Sequence, residues 1–220
     1  MKIKICGLTR VEDAVFAAEC GADFLGMIFV AESPRCIDVE RATEIANAVR
    51  SRAKVVGVFR DAPTENVREI AEQVGLDFVQ LHGSESDDDI VAIGVPAIKA
   101  IHFIERGDGR PRPPGRAETR GSTARTADEG VRRHDDFPHA EWLLFDSGGG
   151  TGRRFDWSLL ASYERRKPFL LAGGITPDNV AAAISFVRPD AIDVASGVES
   201  SPGIKDRAKI EKLIERVRRA

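Results

Sequence analysis

The sequence has little from which to build disulfides or metal cages. Its 220 residues include three cysteines, Cys6, Cys20 and Cys36, an odd number at spacings that match neither a CxxC pair nor a zinc ligand set. Structural disulfides and a bound metal are therefore not expected. Long hydrophobic runs are also missing. No apolar stretch approaches the ~18 residues that span a bilayer, and the amino terminus lacks the charged, apolar and small-residue succession of a signal peptide. The expectation is a cytoplasmic protein that does not enter membranes. A charge excess is absent too: the net charge is −3 and the pI about 5.9, so no basic field is available to hold nucleic acid or an anionic membrane. Any anionic ligand must be bound locally.

What is present is ordinary globular composition, 42% hydrophobic and 30% charged, enough to bury a core. Eight short apolar runs recur: KIKIC, ADFLGMIFV, KVVGVF, DFVQLHG, PAIKAIHF, EWLLFD, PFLLAGG and DAIDVASG. Between most of them lie stretches of helical periodicity, among them TRVEDAVFAAECGA, DVERATEIANAVRS, APTENVREIAEQVG and TPDNVAAAISFV. Thr176-Pro177-Asp178 reads as a cap followed by a helix-starting proline. Gly21 and Gly75 stand where a left-handed residue would stop a helix. Strands alternating with helices pair in parallel, and eight such units favour a single-domain α/β (β/α)8 TIM barrel spanning residues 1–220 over an open sheet. No GxGxxG follows the first run, which further lowers the dinucleotide-binding alternative.

One segment breaks the rhythm. Between the fifth and sixth runs, residues 105–136 form a charged insertion in which Val131 is the only branched aliphatic residue. It has too little apolar surface to offset ordering and is expected to be an exposed, disordered excursion.

In such a barrel the active site lies at the carboxyl ends of the strands. Those ends carry Cys6, Ser33-Pro34-Arg35, Arg60 and Asp61, Gln80 and His82, His102, Asp146, Gly173-Gly174, and Ser196-Gly197. Paired glycines before a helix start, and another after the eighth run, let backbone N–H groups converge on a phosphate; tight turns are the alternative use. Asp146 ends an apolar run, where a carboxylate is costly unless hydrogen-bonded or functional. It is a candidate proton donor or acceptor, with loop capping as the alternative. Cys6 is either a small packed residue or, given partial exposure and a local positive field, a thiolate nucleophile or base. His82 suits a structural or substrate-orienting role better than that of a base. Arg35 offers a planar fork for a carboxylate, or simply a solvent-facing charge.

The motifs KICGLT, FVAESPRCI, FVQLHG, LLFDS with GGTGRRFDW, LAGGITPDNV and IDVASGVESSPGIKD, in that order, resemble the phosphoribosylanthranilate isomerase family over nearly the whole chain. The resemblance implies an Amadori rearrangement on a (β/α)8 barrel, without metal or organic cofactor. It implies Cys6 as general base, Asp146 as general acid and Arg35 near the anthranilate carboxylate. Gly173, Gly174, Ser196 and Gly197 fall at the phosphate, and Gln80, His82 and Asp193 are counted with the substrate-binding residues. The partner is a small-molecule phosphosugar, and a monomer is expected. Other phosphosugar isomerases and epimerases, or a non-catalytic phospholigand sensor, are the competing functions; the metal ligands that an epimerase needs are not assembled here.

Overall fold

A computed structural model of the chain describes residues 1–102, 104–105, 111–112, 137–146, 157–160 and 165–220. Eight strands form a closed parallel barrel: β1 Lys2–Cys6, β2 Phe24–Ile28, β3 Lys54–Phe59, β4 Phe78–Leu81, β5 Ala97–His102, β6 Trp142–Asp146, β7 Phe169–Leu171 and β8 Ala191–Val194. Each strand pairs with its sequence neighbours, and β8 closes on β1 with Lys4 opposite Asp193. Described helices cover the outside: α1 Val11–Cys20, α2 Val39–Val49, α3 Thr64–Val74, α4 Asp87–Ile93, α5 Val180–Val187 and α6 Arg207–Arg219. All eight expected strands are found, each within the apolar run that announced it.

Local chemistry sets the helix limits. Asp38 and Asp206 accept from the backbone N–H of Arg41 and Lys209 and cap α2 and α6, while Ser86 and Asp89 form a reciprocal capping box on α4. Gly21 and Gly75 do end α1 and α3 at φ 97° and 71°, a conformation that costs any residue with a Cβ. Before α5 the expectation was wrong. Pro177 is not the first helical residue; Asn179 precedes α5, and its side chain accepts from the Thr176 N–H at 2.8 Å and donates to the Gly174 carbonyl at 2.8 Å. The amide thereby fastens the glycine turn to the helix entry.

Alternation along the strands sorts side chains into two cores. Ile3, Ile5, Leu25, Met27, Val55 and Val79 face the helices and join Ile45, Val67, Ile184 and Leu213 in the outer core. Phe24, Val56, Ile98, Ala100, Leu144, Leu170, Ala172 and Ala191 fill the barrel itself. Each buried aliphatic side chain contributes about 1.5–3 kcal/mol. Phe24 meets Phe78 and Trp142 edge to face, at centroid distances of 5.7 and 5.9 Å. These three residues open alternate strands, so aromatic rings plug the amino end of the barrel and leave the carboxyl end for polar groups.

At the start of the stretch 105–136, Ile104–Glu105 pairs antiparallel with Pro111–Arg112. The rest of that expectation, residues 106–110 and 113–136, lies outside the described residues. Among the described residues no helix is long and apolar enough to cross a membrane.

Candidate active site

The carboxyl ends of the strands open into a cavity of about 320 Å³. Cys6 from β1, Asp146 from β6 and Asp193 from β8 line it, with Gln80 and His82 at the end of β4. The loop after β2 contributes Ser33, Pro34 and Arg35, and Arg60 follows β3. Gly173, Gly174 and Ser196 complete the rim from the loops after β7 and β8. Nearly all the expected site residues thus meet in one place, because parallel strands deliver every carboxyl end to the same side of the barrel.

Gly197 is the exception. It does not line the cavity, and a Cβ there would collide with the carbonyl of Ile175. Its absent side chain lets the two glycine-bearing loops touch. Gly173 and Gly174 are consecutive left-handed residues, φ 82° and 65°, a conformation that turns successive N–H groups toward one concavity. Asp61, also at positive φ, lies apart from the cavity lining. Its carboxylate accepts from the N–H and hydroxyl of Ser84 at 2.7 and 2.6 Å, which hold it below the usual carboxylate range and fasten the loop after β4. The side chain of His102 lies outside the described residues.

Cys6 is more enclosed than the sequence suggested, with 5% of its surface exposed. Burial pushes its thiol up, opposed by the nearby Lys4 and Lys205 ammonium groups and reinforced by Asp193. The resting sulfur is therefore a thiol rather than the ready thiolate that partial exposure would have favoured. Gly7 follows at φ 72°, and its bare Cα lies against the Arg35 side chain. Cys20 lies half-buried in α1 and Cys36 is exposed in the loop after β2; all three cysteines are free.

Across the cavity, Asp146 is buried, and its Oδ2 stands 3.4 Å from His82 Nε2. His82 Nδ1 lies 3.0 Å from Gln80 Nε2, while Gln80 Oε1 is buried with no hydrogen-bond partner among the described residues. An orphaned acceptor in a cavity wall is costly in the empty protein and is satisfied by a donor such as a sugar hydroxyl.

Arg35 is not solvent-facing. Its fork makes a bidentate pair with Glu199, Nε to Oε1 at 2.8 Å and Nη2 to Oε2 at 2.6 Å. Glu199 also accepts from Lys205 Nζ at 2.8 Å, and the same ammonium donates to the carbonyls of Cys6 at 2.6 Å and Ala195 at 3.2 Å. Burial works against the Glu199 carboxylate, but Arg35 and Lys205 outweigh it and hold the group below its usual range. Glu199, Lys205 and Lys4 are residues that motif reading missed. Glu199 and Lys205 stand in the quoted SGVESSPGIKD stretch, whereas alternation along KIKIC gave the only clue to Lys4. No cluster of three or more metal-ligating side chains occurs among the described residues.

Comparison with known proteins gives concordant results. A family model described as N-(5'-phosphoribosyl)anthranilate (PRA) isomerase matches residues 3–110 and 120–216. It passes over only 111–119 within the charged stretch, so the interval that departs from the family is shorter than composition implied. The N-(5'-phosphoribosyl)anthranilate isomerase of Pseudomonas aeruginosa strain UCBPP-PA14 is 41% identical over 223 residues, covering 99% of this chain and 95% of that protein. The crystal structure of phosphoribosyl anthranilate isomerase from Thermus thermophilus superposes with a TM-score of 0.79 at 35% identity, covering 100% and 99% of the two chains. A further such isomerase, solved in complex with reduced 1-(o-carboxyphenylamino)-1-deoxyribulose 5-phosphate, gives a TM-score of 0.77 at 32% identity, with both chains fully covered.

Proposed function

The chain belongs to the phosphoribosylanthranilate isomerase family of tryptophan biosynthesis, and from that premise we propose that Cys6 and Asp146 are the base and acid of its reaction, the Amadori rearrangement of N-(5'-phosphoribosyl)anthranilate to 1-(2-carboxyphenylamino)-1-deoxyribulose 5-phosphate. The observation that carries this reading is that a thiol and a carboxyl group share one cavity with the double-glycine turn.

Asp146 gives its proton to the furanose ring oxygen, the C1–O bond breaks, and the nitrogen lone pair forms a C1=N iminium. The thiolate of Cys6 then takes the C2 proton, and the electrons of that bond become C1=C2 and neutralise the iminium. The resulting enolamine moves its C2 hydroxyl proton to C1 and becomes the ketone. His82, 3.4 Å from Asp146, keeps the carboxyl oriented; Gln80 and Asp193 bind sugar hydroxyls. Backbone N–H groups around Gly173, Gly174 and Ser196 receive the phosphate, with Gly197 acting through loop contact. Arg35 meets the substrate carboxylate, sharing its fork with Glu199 as the ligand arrives.

The fluorescence change as phosphoribosylanthranilate is consumed, followed with purified protein and no added metal, tests the proposal. Cys6→Ala and Asp146→Ala should each lose about 10²–10⁴-fold in turnover, the range for a positioned acid or base, while retaining the native melting curve. Wild-type rates in both variants would refute the assignment. Removing residues 111–119 should leave turnover intact. A cytoplasmic monomer belongs to the same reading, and light scattering of the purified protein reads its mass.

A further inference from the structure

We propose that Lys4 is a positioning residue for catalysis, its buried ammonium holding the Cys6 sulfur as a thiolate at the moment the substrate proton is taken. Strand register brings the two together. Lys4 and Cys6 are two apart on β1 and so face the barrel interior together. Lys4 is opposite Asp193 on β8, and Cys6 is opposite Gly26 on β2. Gly26 has no side chain, and the space a Cβ would take there is bordered by Cys6 Sγ at 2.8 Å and Lys4 Nζ at 3.1 Å. Sulfur and ammonium therefore converge on the same gap.

Lys4 is fully buried, and its one hydrogen-bonded carboxylate is Asp193, Nζ to Oδ1 at 3.0 Å. An ammonium has three donors, and one such bond leaves capacity for the sulfur. Burial pulls Lys4 down, yet Asp193 and Cys6 more than offset it and leave the ammonium above its ordinary range. Lys4 thus keeps its own proton throughout the cycle. The resting Cys6 thiol releases its proton to water through the open cavity, and the sulfur later receives the proton from C2. The other charges facing the sulfur are differently engaged. Arg35 and Lys205 both pair with Glu199, Asp193 opposes Lys4, and His82, just after β4, stands beside Asp146 of β6 across the cavity.

The inference rests on Cys6 being the base, so its test reads ionisation separately from turnover. In a Cys20→Ser, Cys36→Ser background, the pH dependence of Cys6 alkylation by iodoacetamide reports the thiolate. Lys4→Met should move the alkaline rise upward by about one pH unit or more, as loss of a close opposite charge requires. Asp193→Asn should move it downward, because the sulfur then becomes the partner of Lys4. Should Lys4→Met fail to fold, the double variant Lys4→Met, Asp193→Asn leaves no lone buried charge, and its rise should lie above that of Asp193→Asn. A rise that does not move between variants with and without Lys4 overturns the proposal. Full turnover by Cys6→Ala instead overturns the base assignment beneath it.

Discussion

Two lysines of this barrel are equally inaccessible and differently used. Lys4 points into the barrel, whereas Lys99 of β5 lies on the opposite face, among the strand-to-helix contacts, with its ammonium over the Phe137 ring. Lys99 Nζ donates to the carbonyls of Leu81 at 3.2 Å and Gly83 at 2.7 Å and to Glu85 Oε2 at 2.8 Å. Glu85 in turn accepts from the N–H groups of Asp61 and Gly83, both at 2.8 Å. Every donor of that ammonium has an oxygen, and the cluster ties the loop after β3 to the loop after β4. Lys4 has one carboxylate and the edge of a thiol. The saturated lysine holds the scaffold; the undersaturated one is held in reserve for a charge that appears only when the sulfur ionises.

The largest effect that separates the two is on folding. Lys99→Met removes one partner of a buried pair and should cost about 3–5 kcal/mol, read by denaturant unfolding, while kcat/KM of the folded fraction stays within about twofold. Lys4→Met also breaks a buried pair, but Asp193 lines the open cavity, where water can reach it, so its stability loss should be the smaller of the two. A larger loss for Lys4 would break the contrast. Next comes Gly26→Ala, which inserts a methyl where sulfur and ammonium meet. Overpacking there should cost about 1–3 kcal/mol and lower kcat more than it raises KM, which steady-state kinetics separates. Lys4→Met at neutral pH should lower kcat/KM by about tenfold, the consequence of one pH unit in thiolate population. The smallest effect is graded rather than abrupt: because the Cys6 thiol is raised, the basic form grows as pH rises, and wild-type kcat/KM should climb from neutral toward alkaline pH for as long as the acid partner remains protonated.

The sequence made some of this legible. Short apolar runs announced all eight strands, and the rule that barrel sites lie at carboxyl ends gathered Cys6, Asp146, His82 and the glycine turns. Lys4 escaped notice because alternating lysine and isoleucine normally describes a strand with one wet face. Closing the sheet removes that face from water, and Lys4 ends up inside while Lys2, at the strand's start, stays exposed. The pairing of Arg35 with Glu199 joins residues 164 apart, and no local pattern carries that information. The cap before α5 failed for a different reason: Thr176 and Asn179 both suit the place before a helix, and Asn179 takes it with its amide turned back to the Gly174 carbonyl. Enclosure of Cys6 was likewise invisible, since it depends on side chains arriving from neighbouring strands and from the loop after β2.

The contrast between the two lysines is tested most directly by one set of curves: the pH profile of phosphoribosylanthranilate consumption, measured under identical conditions for wild type, Lys4→Met and Lys99→Met at temperatures where all three are folded. The account predicts that the Lys99→Met profile superimposes on wild type after scaling, while that of Lys4→Met is displaced toward higher pH and recovers there. Superposition of all three, or equal displacement of both variants, would contradict it.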